Sequence, residues 1–320
     1  MSGAEKIAVR VTEKTPLNAL VTRFKFEPVS GGLLPTFSGG AHTVVEMKDG
    51  EINRLNPYSL MSDPFDQSAY TISVRRDDEG RGGSLFMHNN VEVGDEMTIS
   101  QPVNLFSLDL RAKKHLMIAG GIGITPFLAQ IKQLDRAHGN WELHYACRSE
   151  NLGSYVDYLT NTHPNDVNIY YDDQKQVIDL ESLLDGQPLG THIYVCGPKG
   201  MIDWVRKTAT DLGWPREAVH YEEFLAPQPG KPFEVKLSIS NKVIQVGEQE
   251  SLLEAMEREG VDAPYLCRGG ACGQCETDVI DYSGQFIHRD HWLEDDEHQS
   301  GKKIMPCVSR FEGKTLVLDR

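Results

Sequence analysis

Four cysteines near the C-terminus constrain this chain more than any other part of its sequence. Cys267, Cys272 and Cys275 share one loop with a C-x4-C-x2-C spacing, and Cys307 follows further along the chain. This spacing is typical of the four thiolate ligands of a plant-type [2Fe–2S] centre, which transfers electrons one at a time. Zinc also takes four thiolates and remains the alternative, although zinc sites usually show paired C-x2-C units.

Small residues between these cysteines support the cluster. The bridging sulfides of such a centre need backbone N–H donors close by, with no side chains intervening. The residues that leave this room are Gly269, Gly270, Ala271 and Gly273.

Length and composition favour a multidomain chain. With 320 residues, two or three domains are expected rather than one core. No run of 18 uncharged apolar residues occurs, and Met1–Lys6 lacks signal or transit-peptide character, which predicts a soluble cytoplasmic protein with no membrane contact. Cys147 and Cys196 follow separate apolar runs, so we expect small buried residues and no disulfide framework.

The charge distribution is acidic. A net charge of −15 argues against binding to nucleic acid, because a phosphate backbone requires clustered Lys and Arg. From residue 233 onward acidic residues outnumber basic ones by 17 to 10, and this region includes the run Glu294–Glu297. A solvated helical face is the simpler interpretation of the run, and an acidic rim that orients a basic redox partner is the alternative.

Three domains are predicted, at 1–110, 111–226 and 233–320. The first contains short alternating strands separated by turn residues, which is typical of a small antiparallel barrel. The second alternates strands and helices, which predicts an open parallel α/β sheet. Ala226–Pro232 contains three prolines and a glycine, which indicates a semi-rigid linker.

The third domain should begin with a hairpin over 233–246. A helix is predicted to follow, with Ser251 as its N-cap and Glu254 completing a capping box. It should end near Glu259, before Gly260. The cysteine loop comes next.

A glycine-rich turn follows the first strand of the second domain. Gly121 and Gly123 would let the backbone approach a diphosphate, and the next helix would begin with Thr125 as cap and Pro126 at its first position. A tight turn without a ligand explains these glycines about as well. The turn departs from the G-x-G-x-x-G fingerprint by ending in Pro.

A second turn, Cys196–Gly200, follows the last strand of that sheet. Because ligands of open α/β sheets gather at the carboxyl ends of the strands, both turns should face one crevice, with Gly197 at its edge. Asp172 and Asp173 end another strand, where a carboxylate could bind a ribose diol and would repel a 2′-phosphate. This favours NADH over NADPH, although Asp-Asp also suits an ordinary turn.

Two turns of the barrel could hold a flat, phosphorylated ligand. Asn56–Leu60 offers an aromatic ring and a hydroxyl, and Arg81–Ser84 offers backbone N–H groups, a hydroxyl and a guanidinium. Alone, each is ordinary turn chemistry. Beside a nicotinamide crevice and a one-electron cluster they suggest a flavin, because nicotinamide releases two electrons at once.

Together these pieces resemble the phthalate dioxygenase reductase family over essentially the whole chain. The matching stretches are Pro57–Leu60, Gly80–Ser84, Ala119–Pro126, Tyr194–Pro198, His220–Phe224, Cys267–Cys275, His288–Asp290 and Leu316–Asp319. The resemblance implies an FMN barrel, an NADH domain and a C-terminal β-grasp ferredoxin domain. It further implies that electrons pass from NADH through FMN and the cluster to a Rieske-type terminal oxygenase.

The resemblance also implies roles for individual residues. Ser59, Thr125 and Cys196 would act beside the reacting rings. The residues expected to bind FMN or NADH are Asn56, Tyr58, Ser59, Arg75, Gly82, Gly83, Ser84, Gly121, Gly123, Thr125, Asp172, Cys196, Gly197 and Phe224. The cluster ligands would be Cys267, Cys272, Cys275 and Cys307.

One position departs from the family pattern. Asn56 stands where an arginine is expected to touch the flavin phosphate, so Arg54 or Arg81 would compensate, or the flavin would bind more weakly. The variant Asn-x-Tyr-Ser-Leu resembles the reductases of carnitine monooxygenases, which serve oxygenases of quaternary amines. The reductase of an aromatic-acid oxygenase and an iron–sulfur redox sensor or electron carrier are the alternatives. The residues alone leave FMN against FAD open.

Overall fold

The structure is a computed structural model that describes residues 6–50 and 52–320. The N-terminal start used above, apart from Lys6, lies outside the described residues. Three sheets lie one after another along the chain, each with its own apolar core. Within the described part of the chain, no helix is long and apolar enough to cross a membrane.

Seven antiparallel strands form the first sheet. They are β1 (Lys6–Pro16), β2 (Val21–Pro28), β3 (Ala41–Asp49), β4 (Ile52–Ser59), β5 (Tyr70–Arg75), β6 (Glu96–Ser100) and β7 (Val103–Asn104). Their order is β4-β3-β6-β1-β2-β5, with β7 beside β3. The sheet curls so that its two end strands, β4 and β5, approach each other. The closure is seen in a hydrogen bond from Met61 N–H, just after β4, to the Thr71 carbonyl on β5 at 2.9 Å. The predicted antiparallel barrel is confirmed.

Inward-facing residues explain why these segments form strands. Phe24 and Phe26 alternate along β2 and are fully buried, as are Val45 and Met47 on β3. This period of two places one face of every strand in the barrel core. A short helix, α1 (Gly83–Asn89), follows the Arg81–Gly82 turn and covers one end of the barrel.

Five parallel strands form the second sheet. They are β8 (Lys114–Gly120), β9 (Trp141–Cys147), β10 (Val167–Tyr171), β11 (Thr191–Cys196) and β12 (Val219–Glu222), in the order β10-β9-β8-β11-β12. The helices between them are α2 (Thr125–Ala137), α3 (Val156–Thr162), α4 (Leu180–Asp185) and α5 (Lys199–Asp211). The order reverses between β8 and β11, which opens a crevice at their carboxyl ends. The parallel α/β prediction is confirmed.

The start of α2 differs in one detail from the prediction. Thr125 is the first residue of the helix rather than its cap, and its Oγ1 donates to the Ile122 carbonyl at 3.0 Å. The reason is that a 3₁₀ turn over Gly121–Ile124 runs directly into the helix, so no extended N-cap residue precedes it. Pro126 lies in the first turn, as predicted.

The third sheet is mixed. Its strands are β13 (Phe233–Leu237), β14 (Lys242–Val246), β15 (Thr277–Ile287), β16 (Lys303–Ile304) and β17 (Arg310–Leu318), in the order β14-β13-β17-β15-β16. The β13–β17 pair is parallel and the other pairs are antiparallel. The helices are α6 (Leu252–Arg258), whose buried face packs on this sheet, and α7 (Asp295–Ser300). This is the predicted β-grasp arrangement.

Local signals in this domain are confirmed. Ser251 caps α6, and Glu254 completes the capping box. Glu259 ends the helix, and Gly260 follows with a φ of +67°. The acidic run supplies the N-cap Glu294 and the first turn of α7, so its helical interpretation is confirmed too.

Candidate functional site

The fold brings the three thiols of the cysteine loop and the Cys307 thiol together in two pairs. Cys267 lies within hydrogen-bonding reach of Cys272, and Cys275 of Cys307. The Cys272 thiol and the backbone N–H groups of Gly269 and Ala271 hold the pKa of Cys267 well below its usual value, against the effect of burial. Gly269 N–H donates to Cys267 Sγ at 3.3 Å. A backbone N–H donor to sulfur is what a cluster ligand needs, so this contact suits a [2Fe–2S] site.

A cavity of about 430 Å³ lies where the three domains meet. The barrel contributes Asn56, Tyr58, Ser59, Arg75, Gly82, Gly83 and Ser84. The second domain contributes Thr125, and the segment after it contributes Phe224. The loop of the third domain contributes Cys267, Gly269 and Ala271. These residues, all predicted to lie beside the flavin, therefore share one cavity with the cysteine loop, whereas Cys196 does not line it.

The aromatic side of the cavity lies on β4. Burial raises the pKa of Tyr58 to about 12, although the Asn56 amide opposes this shift. Asn56 Nδ2 lies 3.5 Å from the Tyr58 hydroxyl. Ser59 and Thr125 are buried, whereas Phe224 remains 45% exposed. This arrangement offers a flat ligand an aromatic wall and two hydroxyl groups.

The Gly82–Gly83 turn is built for close approach. Gly82 has a φ of +89°, and a Cβ atom on Gly83 would stand 2.4 Å from Asn56 Nδ2. Asn56 therefore packs directly against the turn. The Ser84 hydroxyl accepts a hydrogen bond from Asp77 N–H at 2.9 Å, which fixes the start of α1.

Both arginines considered above as replacements for the missing phosphate-binding arginine are engaged by other groups of the protein. The Arg81 guanidinium is paired with Glu254 of the third domain, with Nη1 2.6 Å from Oε2. Arg54 is also engaged, because its Nε donates to the Arg81 carbonyl at 2.6 Å and its Nη1 to Asp49 at 3.1 Å. Arg54 thus supports the turn through the Arg81 carbonyl, and compensation for the missing arginine stays a prediction. Arg75 is exposed and lines the cavity.

The two glycine turns of the second domain pack on each other. A Cβ atom on Gly123 would stand 2.2 Å from the Cys196 carbonyl oxygen. A Cβ atom on Gly197 would stand 3.1 Å from the Gly120 backbone, while Gly121 faces open space. These turns form the crevice between β8 and β11, and Ile122 of the first turn lines the cavity together with Thr125. The packing of the two turns on each other therefore explains why glycine occupies positions 123 and 197.

Cys196 and Asp172 occupy different surroundings. The Cys196 thiol is fully buried, and burial raises its pKa well above the usual value, so it is a neutral thiol at the crevice floor. Asp172 is exposed in the 3₁₀ turn after β10, two strands from β8. Asp172 therefore lies away from the end of the crevice predicted to hold the nicotinamide ring. It lies on the side where the adenosine end of a dinucleotide would extend.

Sequence reasoning missed two polar groups of the cavity. Both ring nitrogens of His42 and the Oε2 atom of Glu222 are buried without a hydrogen-bond partner among the described residues. Burial lowers the pKa of His42 to about 4. Burial, together with Cys267, raises the pKa of Glu222 to about 8. His42 carries no sequence signal, whereas Glu222 lies in the matched stretch His220–Phe224.

These observations fit the three groups that the sequence predicts. Unpartnered polar atoms and an aromatic wall suit a flavin, the crevice at the strand-order reversal suits a dinucleotide, and the thiol loop suits a [2Fe–2S] cluster. A barrel, a parallel α/β domain and a β-grasp domain that meet at one cavity define a nicotinamide-dependent flavin iron–sulfur reductase.

Comparisons with known proteins agree. Residues 97–219 match a family model for the N-terminal domain of DmmA-like dimethylamine monooxygenase subunits, and residues 235–312 match the 2Fe-2S iron-sulfur cluster binding domain. The chain is 44% identical to the carnitine monooxygenase reductase subunit of Acinetobacter baumannii, covering 98% of this chain and 96% of that protein. It is 43% identical to the heme-dependent oxidative N-demethylase beta subunit of Ectopseudomonas mendocina, covering 97% and 98%.

The solved structure of phthalate dioxygenase reductase matches with a TM-score of 0.90 and 34% identity, over 98% of both chains. The chain belongs to the phthalate dioxygenase reductase family. Its cofactors are FMN, NADH and a [2Fe–2S] cluster, and it is the reductase component of an oxygenase system.

Proposed function

We propose that this reductase supplies single electrons to a Rieske-type oxygenase that acts on carnitine or a related quaternary amine. The observation that carries the electron path is the shared cavity, in which the barrel residues and the Cys267 loop face each other. FMN, when bound, accepts a hydride equivalent and releases its electrons singly, which links nicotinamide to a one-electron cluster.

The chain's own residues position and enclose these groups. Tyr58 and Ser59 would lie against the isoalloxazine, and the Gly82–Gly83 turn would receive the phosphate. Thr125 closes the cavity where the nicotinamide crevice meets it. Cys267 lines the cavity together with the small residues Gly269 and Ala271, which keeps the path to the cluster short.

Two arguments support the Rieske-type partner. Plant-type clusters have potentials of about −400 mV, below the range of about −150 to +300 mV for Rieske centres, so transfer is downhill. The relatives also include carnitine monooxygenase reductase subunits with nearly full-length alignment. The Asn56 variant of the flavin turn belongs to the same resemblance.

A haem-dependent N-demethylase is the second candidate partner. It is favoured by the beta subunit from Ectopseudomonas mendocina and by the match to a dimethylamine monooxygenase subunit model. Carnitine is a quaternary amine, and an N-demethylase acts on a methylated nitrogen, so an amine substrate is shared by the two proposals. An aromatic-acid oxygenase has weaker support, because the vanillate and phthalate relatives are less similar to this chain.

A mixing experiment separates the partners. The holo-reductase is reduced anaerobically with NADH and mixed with a Rieske oxygenase of carnitine or with a haem N-demethylase, and the metal centre of the oxygenase is followed spectroscopically. We expect fast anaerobic reduction of the Rieske centre, and substrate-dependent turnover once O2 is admitted. Reduction of the haem protein alone would replace the first proposal by the second, and reduction of neither would overturn both.

A variant tests the electron order. Cys275→Ser should abolish cytochrome c reduction while retaining part of the NADH-to-ferricyanide activity, which the flavin supports directly. Equal loss of both activities, with FMN still bound, would contradict a path from flavin to cluster. Continuous NADH oxidation with an artificial acceptor also argues against a sensor, which would not turn over.

A further inference from the structure

A buried ion pair joins the flavin turn to the ferredoxin domain. Arg81 Nη1 lies 2.6 Å and Nη2 lies 3.2 Å from the two carboxylate oxygens of Glu254. Arg81 Nη1 also donates to the Gln249 carbonyl at 3.0 Å. The two side chains are only 4% and 9% exposed, so water screens the pair little.

Each partner is fixed within its own domain. Glu254 Oε2 accepts the Ser251 N–H at 2.7 Å in the capping box that begins α6. The Arg81 carbonyl accepts Arg54 Nε at 2.6 Å, and Gly82 with Gly83 follows directly. The pair therefore connects the start of one helix to the turn predicted to receive the flavin phosphate.

A second arginine fastens the linker to the same side of the ferredoxin domain. Arg310 donates to the carbonyl groups of Gly230, Lys231, Gly247 and Glu250 at distances of 2.7 to 3.1 Å. Because these bonds hold the linker onto its own domain, they do not orient that domain against the barrel. The Arg81–Glu254 pair spans this interface.

Removing one partner has a defined physical cost. Breaking a buried pair leaves the other charge without compensation in a poorly solvated place, which disfavours the closed interface. The cavity between the barrel and the cysteine loop lies at this same interface of the barrel and the ferredoxin domain. The spacing of flavin and cluster is thus expected to depend on this pair.

We propose that Arg81 and Glu254 are positioning residues that hold the ferredoxin domain in its electron-accepting orientation. They set the rate of electron transfer from flavin to cluster, and they link retention of FMN to docking of the ferredoxin domain. The inference rests on the proposed electron path and adds the device that maintains it.

The variant Glu254→Gln tests the negative charge of Glu254 separately from the size and shape of its side chain. Glutamine at this position still reaches the Ser251 N–H, so the capping box of α6 is retained while the ion pair is lost. With saturating FMN, we expect NADH-to-ferricyanide activity to stay within twofold of the unmodified protein. Cluster reduction after rapid mixing with NADH, and cytochrome c reduction, should fall about tenfold, within the range typical of coupled sites. FMN should dissociate about fivefold more readily on dialysis.

Two further variants complete the test. Glu259→Gln makes the same chemical change at the exposed end of the same helix and should alter none of these measurements. Arg81→Lys keeps the positive charge but loses the bidentate contact with Glu254. It should therefore lower the rate of cluster reduction to an intermediate value. It covers the case in which Glu254→Gln fails to fold.

The outcomes are distinct. A selective fall in cluster reduction for Glu254→Gln or Arg81→Lys supports the proposal. Rates equal to those of Glu259→Gln, or equal losses with both acceptors at full FMN and iron content, would overturn it. Because these measurements use artificial acceptors, a failure to reduce any oxygenase would bear only on the proposed partner. A lack of cytochrome c reduction by the unmodified protein would refute the proposed electron path itself.

Discussion

The indole ring of Trp292 lies across Gly273 in the middle of the cysteine loop. A Cβ atom on Gly273 would stand 2.2 Å from Trp292 Cε2, and Gly273 has a φ of +73°. Trp292 Nε1 donates to Glu276 Oε2 at 2.8 Å, which holds the ring in place. The ring therefore covers the backbone between Cys272 and Cys275 while remaining 47% exposed.

Gly273→Ala should weaken the cluster loop. The left-handed backbone alone costs about 1–2 kcal/mol for a residue with a Cβ atom, and the added methyl group must also displace the indole ring. We expect roughly tenfold faster loss of iron under a chelator, measured by cluster absorbance. Gly260→Ala is the matched control, because Gly260 has a similar φ of +67° and its Cβ atom would meet nothing within 4 Å. Equal iron loss in both variants would contradict the role of the Trp292 contact.

Gly123→Ala should separate the two turns of the nicotinamide crevice. The methyl group would collide with the Cys196 carbonyl oxygen, and overpacking of this kind costs about 1–3 kcal/mol. We expect a lower melting temperature and a raised KM for NADH. Gly200→Ala in the first turn of α5 has open space around its Cβ position and should be neutral or slightly stabilising. An unchanged KM for NADH in Gly123→Ala would show that the turns do not shape the crevice.

Local signals made most of the fold predictable. The capping box at Ser251, the glycine stop after α6 and the alternation of strands and helices each depend on residues close in sequence. The cysteine spacing identified the ligand loop for the same reason.

The rest of the site depends on tertiary contacts. Arg81 and Glu254 are separated by 173 positions, so nothing in either local sequence shows that they meet. His42 lies on an ordinary strand, and only the closed barrel leaves both its nitrogens buried beside the cavity. Thr125 lost its expected capping role because a 3₁₀ turn leads into α2.

Acid should destabilise the flavin barrel through His42. Burial lowers the pKa of His42 to about 4 from an ordinary value of 6.5, so the folded state binds this proton less readily than the unfolded state. The stability that the neutral ring contributes is present above pH 6.5 and is lost as pH falls toward 4, by up to about 3 kcal/mol. Denaturant titration of the FMN-free protein, monitored by tryptophan fluorescence, should show this slope.

His42→Asn should flatten the pH dependence of unfolding between pH 6.5 and 4. His138→Asn is the control, because His138 is exposed at the end of α2 in a left-handed conformation that Asn tolerates. A slope that is unchanged in His42→Asn would assign the acid sensitivity to other groups.

The surface beside Trp292 is acidic. Asp295 and Asp296 are exposed in the first turn of α7, and neither makes an ion pair with any described residue. Lys303 lies 2.9 Å from both Glu276 and Glu297, so its charge is already engaged. An exposed tryptophan with uncompensated carboxylates at its rim is suited to a partner with a basic rim.

Replacing both Asp295 and Asp296 by Asn should therefore weaken coupling to the oxygenase without slowing internal electron transfer. Exposed charge pairs contribute about 0.2–1 kcal/mol each, so we expect the KM for the oxygenase to rise about fivefold at low salt, with the difference shrinking at high salt. Ferricyanide and single-turnover cluster reduction should stay unchanged. The control replaces Glu181 by Gln and Asp185 by Asn on α4, which removes the same charge from the second domain. If the α4 variant raises the KM equally, net charge rather than the Trp292 surface guides the partner, because long-range attraction depends on total charge whereas docking depends on where the carboxylates lie.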